Sequence, residues 1–449
     1  MFNKDFIFGA ATASFQIEGY TQVDGSVPSI WDTHCSIKGN IEDASNGDLA
    51  CQSYKMYKED VKLLKKLGVK AYRFSISWGR IFPNGKLNPL GVKYYRDLAS
   101  RLIENGITPY VTLYHWDLPQ YLEDKGGFLN PDFSDWFMEY TDAVTKVLGD
   151  LVKNYITINE PQCITYLGHR TKEHAPGVSL SDKELLLIIH NILLAHGKAV
   201  RVIRKNVKDS TIGFSPNSRA VCPIDSNDKE LYNRCYNEFF KITKDYDFSY
   251  GVSIFSDPIF LGDYPKEYYE LFKDILPKIT KEDLEIISTP IDYCYQNIYS
   301  GDFYELNSNN ELIKKNKEIG CPESNIFWGQ VVPESLYYIP KMLYERYHKP
   351  VIISENGMCC HDAISLDGHV HDPNRSDFIE RYLIMLEKAS KEVPIKGYFY
   401  WSFLDNFEWA MGYTKRFGLV FVDYKNGKRI PKDSFNTYKR IIKEANKDV

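Results

Sequence analysis

The chain has 449 residues, enough for one large domain or two or three ordinary ones, and enough to bury a large core. Its formal net charge is −5 and no Lys/Arg run forms a basic stripe, so a nucleic-acid partner gains no support. No window approaches the roughly 18 uninterrupted apolar residues of a membrane span; no membrane partner is expected.

The start, Met1-Phe2-Asn3-Lys4-Asp5-Phe6, lacks a basic segment leading into an apolar stretch, which predicts an unexported, cytoplasmic protein. The first β-rich run, Phe6 to Ser14, ends in small residues and carries neither a dinucleotide fingerprint nor a phosphate loop. An amphipathic stretch follows, Tyr54 to Leu67. The second run, Val69 to Trp78, contains Arg73 and leads to a helix over Lys93 to Asn105. The third, Ile107 to Trp116, ends on His115 and Trp116, with a helix over Phe133 to Leu148. The fourth, Asn154 to Glu160, ends on a glutamate followed by Pro161, with a helix over Lys183 to Arg204. Further runs are Thr211 to Asn217, Ile291 to Ser300 (containing Asn297 and Tyr299), Pro350 to Glu355, and Ile395 to Asp405 (containing Trp401). Ser434 to Lys447 supplies a closing helix.

Strands alternating with helices imply a parallel sheet. Eight such units predict an α/β fold, a (β/α)8 TIM barrel forming a single domain over residues 1–449, with long loops after its strands. The competing open doubly wound sheet would scatter Arg73, His115, Glu160, Asn297, Tyr299, Glu355 and Trp401. A barrel brings those strand ends onto one rim. The nine cysteines show no framework spacing and read as free thiols; Cys359 and Cys360 are adjacent, and a bond between them would be strained.

Glu160 and Glu355 carry the chemistry. Taken alone, a glutamate at a strand end is a solvated surface residue. Two of them, each after a β-run and beside an asparagine, suit cleavage of a glycosidic bond. One carboxylate attacks the anomeric carbon while the other protonates the departing oxygen, at a separation of about 5–5.5 Å in retaining enzymes. The fourth and seventh strands of a barrel face each other across the rim, which permits that gap. The attacking group must stay ionised, and Arg73 and Tyr299 are candidates to hold Glu355 so. Like-charge repulsion from an anionic Glu355 favours a proton on Glu160, and the repulsion vanishes once Glu355 is esterified.

Thr157-Ile158-Asn159-Glu160-Pro161 and Ile353-Ser354-Glu355-Asn356-Gly357 resemble the acid/base and nucleophile motifs of family 1 glycoside hydrolases, the β-glucosidase family. The segments Phe8 to Gly19, Tyr72 to Trp78, Tyr114 to Pro119 and Trp401 to Trp409 are similar to that family too, and the likeness runs from about Phe6 to Tyr438. The resemblance implies a retaining β-glucosidase with Glu160 as general acid/base and Glu355 as nucleophile. It also implies that Gln16, His115, Asn159 and Glu408 bind sugar hydroxyls, that Trp401 lies against the sugar's apolar face, and that Trp409 donates its indole N–H. Trp116, Trp328 and Phe417 complete the expected substrate-binding set, with Arg73, Asn297 and Tyr299 in support. No cofactor and no metal are implied; the partner is a small β-glucoside or short oligosaccharide such as cellobiose.

Three alternatives are weaker. A 6-phospho-β-glucosidase would set a phosphate against Glu408, and resembling phospho-specific members supply a tyrosine where Phe417 stands. A non-catalytic sugar-binding barrel would lack one of the two carboxylates. Net glycosyl transfer would use the same intermediate with a sugar as acceptor. Departures from the family pattern at Gln162, Phe128, His169 to Glu173, Ile298, Val332 and Ser335 are expected mostly on the leaving-group side or in outer loops. His361, Asp362, Asp367, His369, His371 and Asp372 crowd one loop; their spacing fits no ligand pattern, and a solvated loop is the reading adopted.

Overall fold

Eight parallel strands close into a ring in this computed structural model, which describes residues 2–316 and 319–446. They are β1 Ile7–Ala11, β2 Ala71–Ser75, β3 Thr108–Tyr114, β4 Asn154–Asn159, β5 Thr211–Ser215, β6 Tyr293–Leu306, β7 Val351–Asn356 and β8 Ile395–Trp401. Each pairs with its successor in parallel, and β8 returns to β1. Every strand falls within the run expected for it, except that β7 extends one residue past Glu355 to Asn356 and β6 continues past Ser300. The chain stays extended there because Asn217–Pro223 pairs alongside it and Leu312–Lys314 folds back on it.

The connecting helices include α1 Ser53–Leu67, α2 Pro89–Glu104, α3 Phe133–Leu148, α4 Asp182–Asn206 and, at the C-terminal end, α5 Asp433–Ala445. Lys447, the expected end of the last helix, lies outside the described residues. α4 starts at a capping box in which Ser181 and Glu184 satisfy each other's backbone N–H groups. It is long and apolar enough to cross a membrane by length and composition, but its apolar window is mostly buried. Leu185, Leu186, Ile188, Ile189, Ile192 and Leu193 are fully enclosed by the barrel and its neighbouring helices.

The barrel interior is packed by side chains of unequal size. Tyr110, Tyr295 and Phe399 fill it, and Ala11, Ala71 and Gly213 give them room. A methyl carbon added at Gly213 would sit 1.9 Å from the Tyr295 ring. Gly213→Ala is therefore expected to cost about 1–3 kcal/mol of stability, the usual price of overpacking. A chemical-denaturation midpoint equal to wild type would show that the ring can move aside.

The acidic, histidine-rich loop after β7 departs from the solvated reading. His361, Asp367, His369 and His371 are exposed, but the carboxyls of Asp362 and Asp372 are buried against Arg375. Lys432 bridges Asp362 and Asp405 at 2.6 Å each, and Arg416 reaches Asp405 at 2.6 Å. Buried carboxylates persist because cations pair with them; Arg375 is local, three residues past Asp372, but Lys432 and Arg416 come from distant parts of the chain, so loop composition alone did not reveal them. Among the described residues no group of His, Cys, Asp and Glu is arranged to hold a metal. All nine cysteines are free.

Candidate active site

Arg73 is the hub of the rim. It projects from β2 with 1 % of its surface exposed, so each of its donors needs a partner. Nε donates to Thr112 on β3 at 2.9 Å, and Nη2 to Asn159 Oδ1 at the end of β4 at 2.6 Å. Nη1 donates to the Ser354 carbonyl at 3.0 Å and to Glu355 Oε1 at 2.7 Å. One guanidinium thereby ties β3, β4 and β7 together, using the planar fork that lysine lacks. The second oxygen of Glu355 accepts the Tyr299 hydroxyl at 2.7 Å. Burial pushes the Glu355 carboxyl up to about 7; the Arg73 charge pulls it down, Glu160 pushes it up, and the Tyr299 hydroxyl pulls it down again.

Glu160 has a different environment. It stands just past the end of β4 in a left-handed conformation, φ 42°, with its N–H donated to Ser215 at 2.7 Å. That twist and Pro161 turn the chain out of the sheet. No cation touches its carboxyl among the described residues. Oε1 accepts the Asn297 amide at 2.7 Å; Oε2 accepts the Asn217 amide at 3.1 Å and the Cys163 thiol at 3.1 Å. Asn297 also donates to Asn159 at 3.1 Å, which joins the surroundings of the two acids through neutral amides.

Both glutamates open into one cavity of about 550 Å³, shared by His115, Trp116, Asn159, Tyr299, Trp328, Trp401, Glu408, Trp409 and Phe417. Gln16, Arg73 and Asn297 are placed behind its wall. Burial first, then the charges of Glu355 and Glu160, push the Glu408 carboxyl up to about 8. Gln16 touches Glu408 at 3.5 Å and is anchored on the Phe407 carbonyl at 2.8 Å, leaving its Oε1 buried without a protein partner. His115 is neutral, because burial and the Arg73 charge hold it well below the usual histidine range. Its Nε2 accepts from Asn159 at 3.1 Å, which makes Nδ1 the protonated nitrogen. The Trp116 indole is committed to the Asn159 carbonyl at 2.9 Å. Trp401 and His115 stack with centroids 5.8 Å apart, and Trp328 meets Tyr299 edge-on at 5.2 Å.

Sequence reasoning missed several residues. Asn217 closes the fifth run as Glu160 closes the fourth, which was a usable signal. Cys163 is three residues past Glu160, one helical turn away, but nothing in its surroundings marked it as a partner. Tyr166, Thr171, Glu173, Arg219 and Tyr250 also line the cavity. Of the departures expected on the leaving-group side or in outer loops, Thr171 and Glu173 do reach the cavity. Gln162, Phe128, Ile298, Val332 and Ser335 do not: all five are buried behind it.

Two carboxyls at the C-terminal rim of a (β/α)8 barrel, one ion-paired and one surrounded by neutral donors, define a carboxylate-pair glycosidase layout. The sequence profile of Glycosyl hydrolase family 1 matches residues 1–447. Beta-glucosidase A of Thermotoga maritima is 42% identical over 446 residues, covering 98% of each chain. Beta-glucosidase A of Acetivibrio thermocellus is 41% identical over 450 residues, again covering 98% of both. The structure of the Thermotoga maritima beta-glucosidase in complex with glucoimidazole superposes with a TM-score of 0.89 at 41% identity, over 98% of each chain. The chain belongs to glycosyl hydrolase family 1.

Proposed function

We propose that this protein is a retaining β-glucosidase that removes terminal non-reducing β-D-glucosyl residues from cellobiose, short β-glucosides and aryl β-glucosides. The carrying observation is the unequal treatment of two acids in one cavity: Glu355 gripped by Arg73 and Tyr299, Glu160 held only by neutral donors. Glu355 attacks the anomeric carbon and forms a glycosyl ester while Glu160 passes its proton to the leaving oxygen. Glu160 then takes a proton from water, which attacks the anomeric carbon and releases Glu355. Trp401 offers an apolar platform for the sugar ring. His115, Asn159 and Glu408 meet its hydroxyls from the cavity wall, and Gln16 braces Glu408 from behind it. Neither metal nor cofactor takes part. The relatives named beta-glucosidase support this reading, as do solved complexes of one of them with glucoimidazole and with deoxynojirimycin. Cytoplasmic breakdown of cellobiose is the role that fits nine free thiols.

A panel of aryl β-glycosides, with the first anomer released followed by NMR, tests this. The β-anomer of glucose should appear first and the glucoside should be preferred over its 6-phosphate. The α-anomer, or a clear preference for the phosphate, would overturn the proposal. The Tyr299 hydroxyl stabilises ionised Glu355, so Tyr299→Phe should raise the Glu355 pKa and move the acid limb of kcat/KM to higher pH. An acid limb that stays put or moves down would show that Tyr299 does not hold the ionised form.

A further inference from the structure

Gln162 stands two residues past Glu160 and is completely buried. Its side-chain amide is engaged twice by one peptide unit's worth of groups. Nε2–H donates to the Asn217 carbonyl at 2.9 Å, and Oε1 accepts the Asn217 N–H at 3.2 Å. The location explains the pairing. The ladder between β4 and β5 ends where Asn159 faces Ser215, and its last backbone bond runs from Glu160 N–H to the Ser215 carbonyl at 2.7 Å. Beyond it the left-handed Glu160 and Pro161, which has no N–H, take the β4 chain away. Asn217 would then face that side with an unpaired N–H and C=O. A primary amide offers the same donor and acceptor as a peptide, so Gln162 supplies one more rung.

Asn217, held this way, donates its own amide to Glu160 Oε2 at 3.1 Å. The other protein donor to that oxygen is the Cys163 thiol at 3.1 Å, and a thiol is a weak one. Oε1 is fixed separately by Asn297 at 2.7 Å. We infer that Gln162 is a positioning residue for proton transfer: its amide prolongs the β4–β5 ladder, sets the Asn217 side chain, and through it fixes the rotation of the Glu160 carboxyl. The inference rests on Glu160 being the general acid/base. It also gives a purpose to one departure from the family pattern, since a tryptophan at this position has no acceptor and could not form the rung.

The test uses leaving groups that differ in their need for a proton. Phenyl β-D-glucoside needs one; 2,4-dinitrophenyl β-D-glucoside leaves as a stable anion. Gln162→Met keeps the side chain's length and removes both bonds. It should lower kcat/KM about ten-fold for the phenyl glucoside and hardly at all for the dinitrophenyl glucoside, a fraction of the roughly 10²–10⁴ that a positioned acid supplies. In an Asn217→Ala background Gln162→Met should add no further loss, because the two act in series. Equal losses on both substrates, no loss on either, or additive losses in the double variant would overturn the inference. If Gln162→Met does not fold, Gln162→Glu, which keeps the acceptor and loses the donor, is measured the same way. Glu160→Ala runs alongside. Wild-type activity of that variant on the phenyl glucoside would remove the functional reading itself, whereas its loss beside a substrate-independent Gln162→Met would remove only the inference.

Discussion

Replacing Glu355 by Gln is expected to lower kcat on 4-nitrophenyl β-D-glucoside on the order of 10⁶-fold, the scale lost when a covalent nucleophile is removed. The amide fills the same space and still offers an oxygen to Arg73, so the rim should keep its shape. Arg73 also retains Thr112, Asn159 and the Ser354 carbonyl. What disappears is the charge that attacks the anomeric carbon, and no second cation-held carboxylate stands nearby to replace it: Glu160 meets only neutral donors and Glu408 is pushed up to about 8. Glucose binding, followed by calorimetry, should persist, because His115, Trp401 and Glu408 are untouched. Undiminished turnover in this variant would take Glu355 out of the mechanism. Lost binding together with lost turnover would point to a collapsed rim instead.

Removing the other acid should give a loss that depends on the substrate. Glu160→Ala is expected to slow hydrolysis of poor leaving groups such as cellobiose by roughly 10²–10⁴-fold, the contribution of a general acid. With 2,4-dinitrophenyl β-D-glucoside the glycosylation burst should remain, since that anion departs unaided, and release of glucose should then limit the rate because water has lost its base. Azide, a nucleophile that needs no base, should restore turnover and yield β-glucosyl azide. A uniform loss across substrates, or α-glucosyl azide as product, would contradict the assigned role.

The legible part of the site and its illegible part differ in kind. Glu160 and Glu355 could be read because each ends an apolar β-run, and a strand end on a parallel barrel faces the rim whatever the rest of the chain does. Arg73 and Tyr299 followed as ionising partners by the same logic. Glu408 and Gln16 came only with the family likeness, as neither position has a periodic pattern to betray it. Gln162, one of the departures expected mostly on the leaving-group side or in outer loops, is buried and pairs with the Asn217 backbone instead. Its environment is made by Asn217, 55 residues away.

The order of strands and helices, the closed ring, and the presence of two acids at the rim were written in local patterns: short β-rich apolar runs, amphipathic stretches between them, and polar or aromatic residues where the runs stop. Those patterns act over a few residues and survive any change of tertiary partner. The state of each acid was not local. It depends on a guanidinium from β2 reaching β7, on amides from Asn217 and Asn297 converging on β4, and on how far burial removes each carboxyl from water. Such contacts join residues far apart in the chain, so their energies exist only once the barrel has closed.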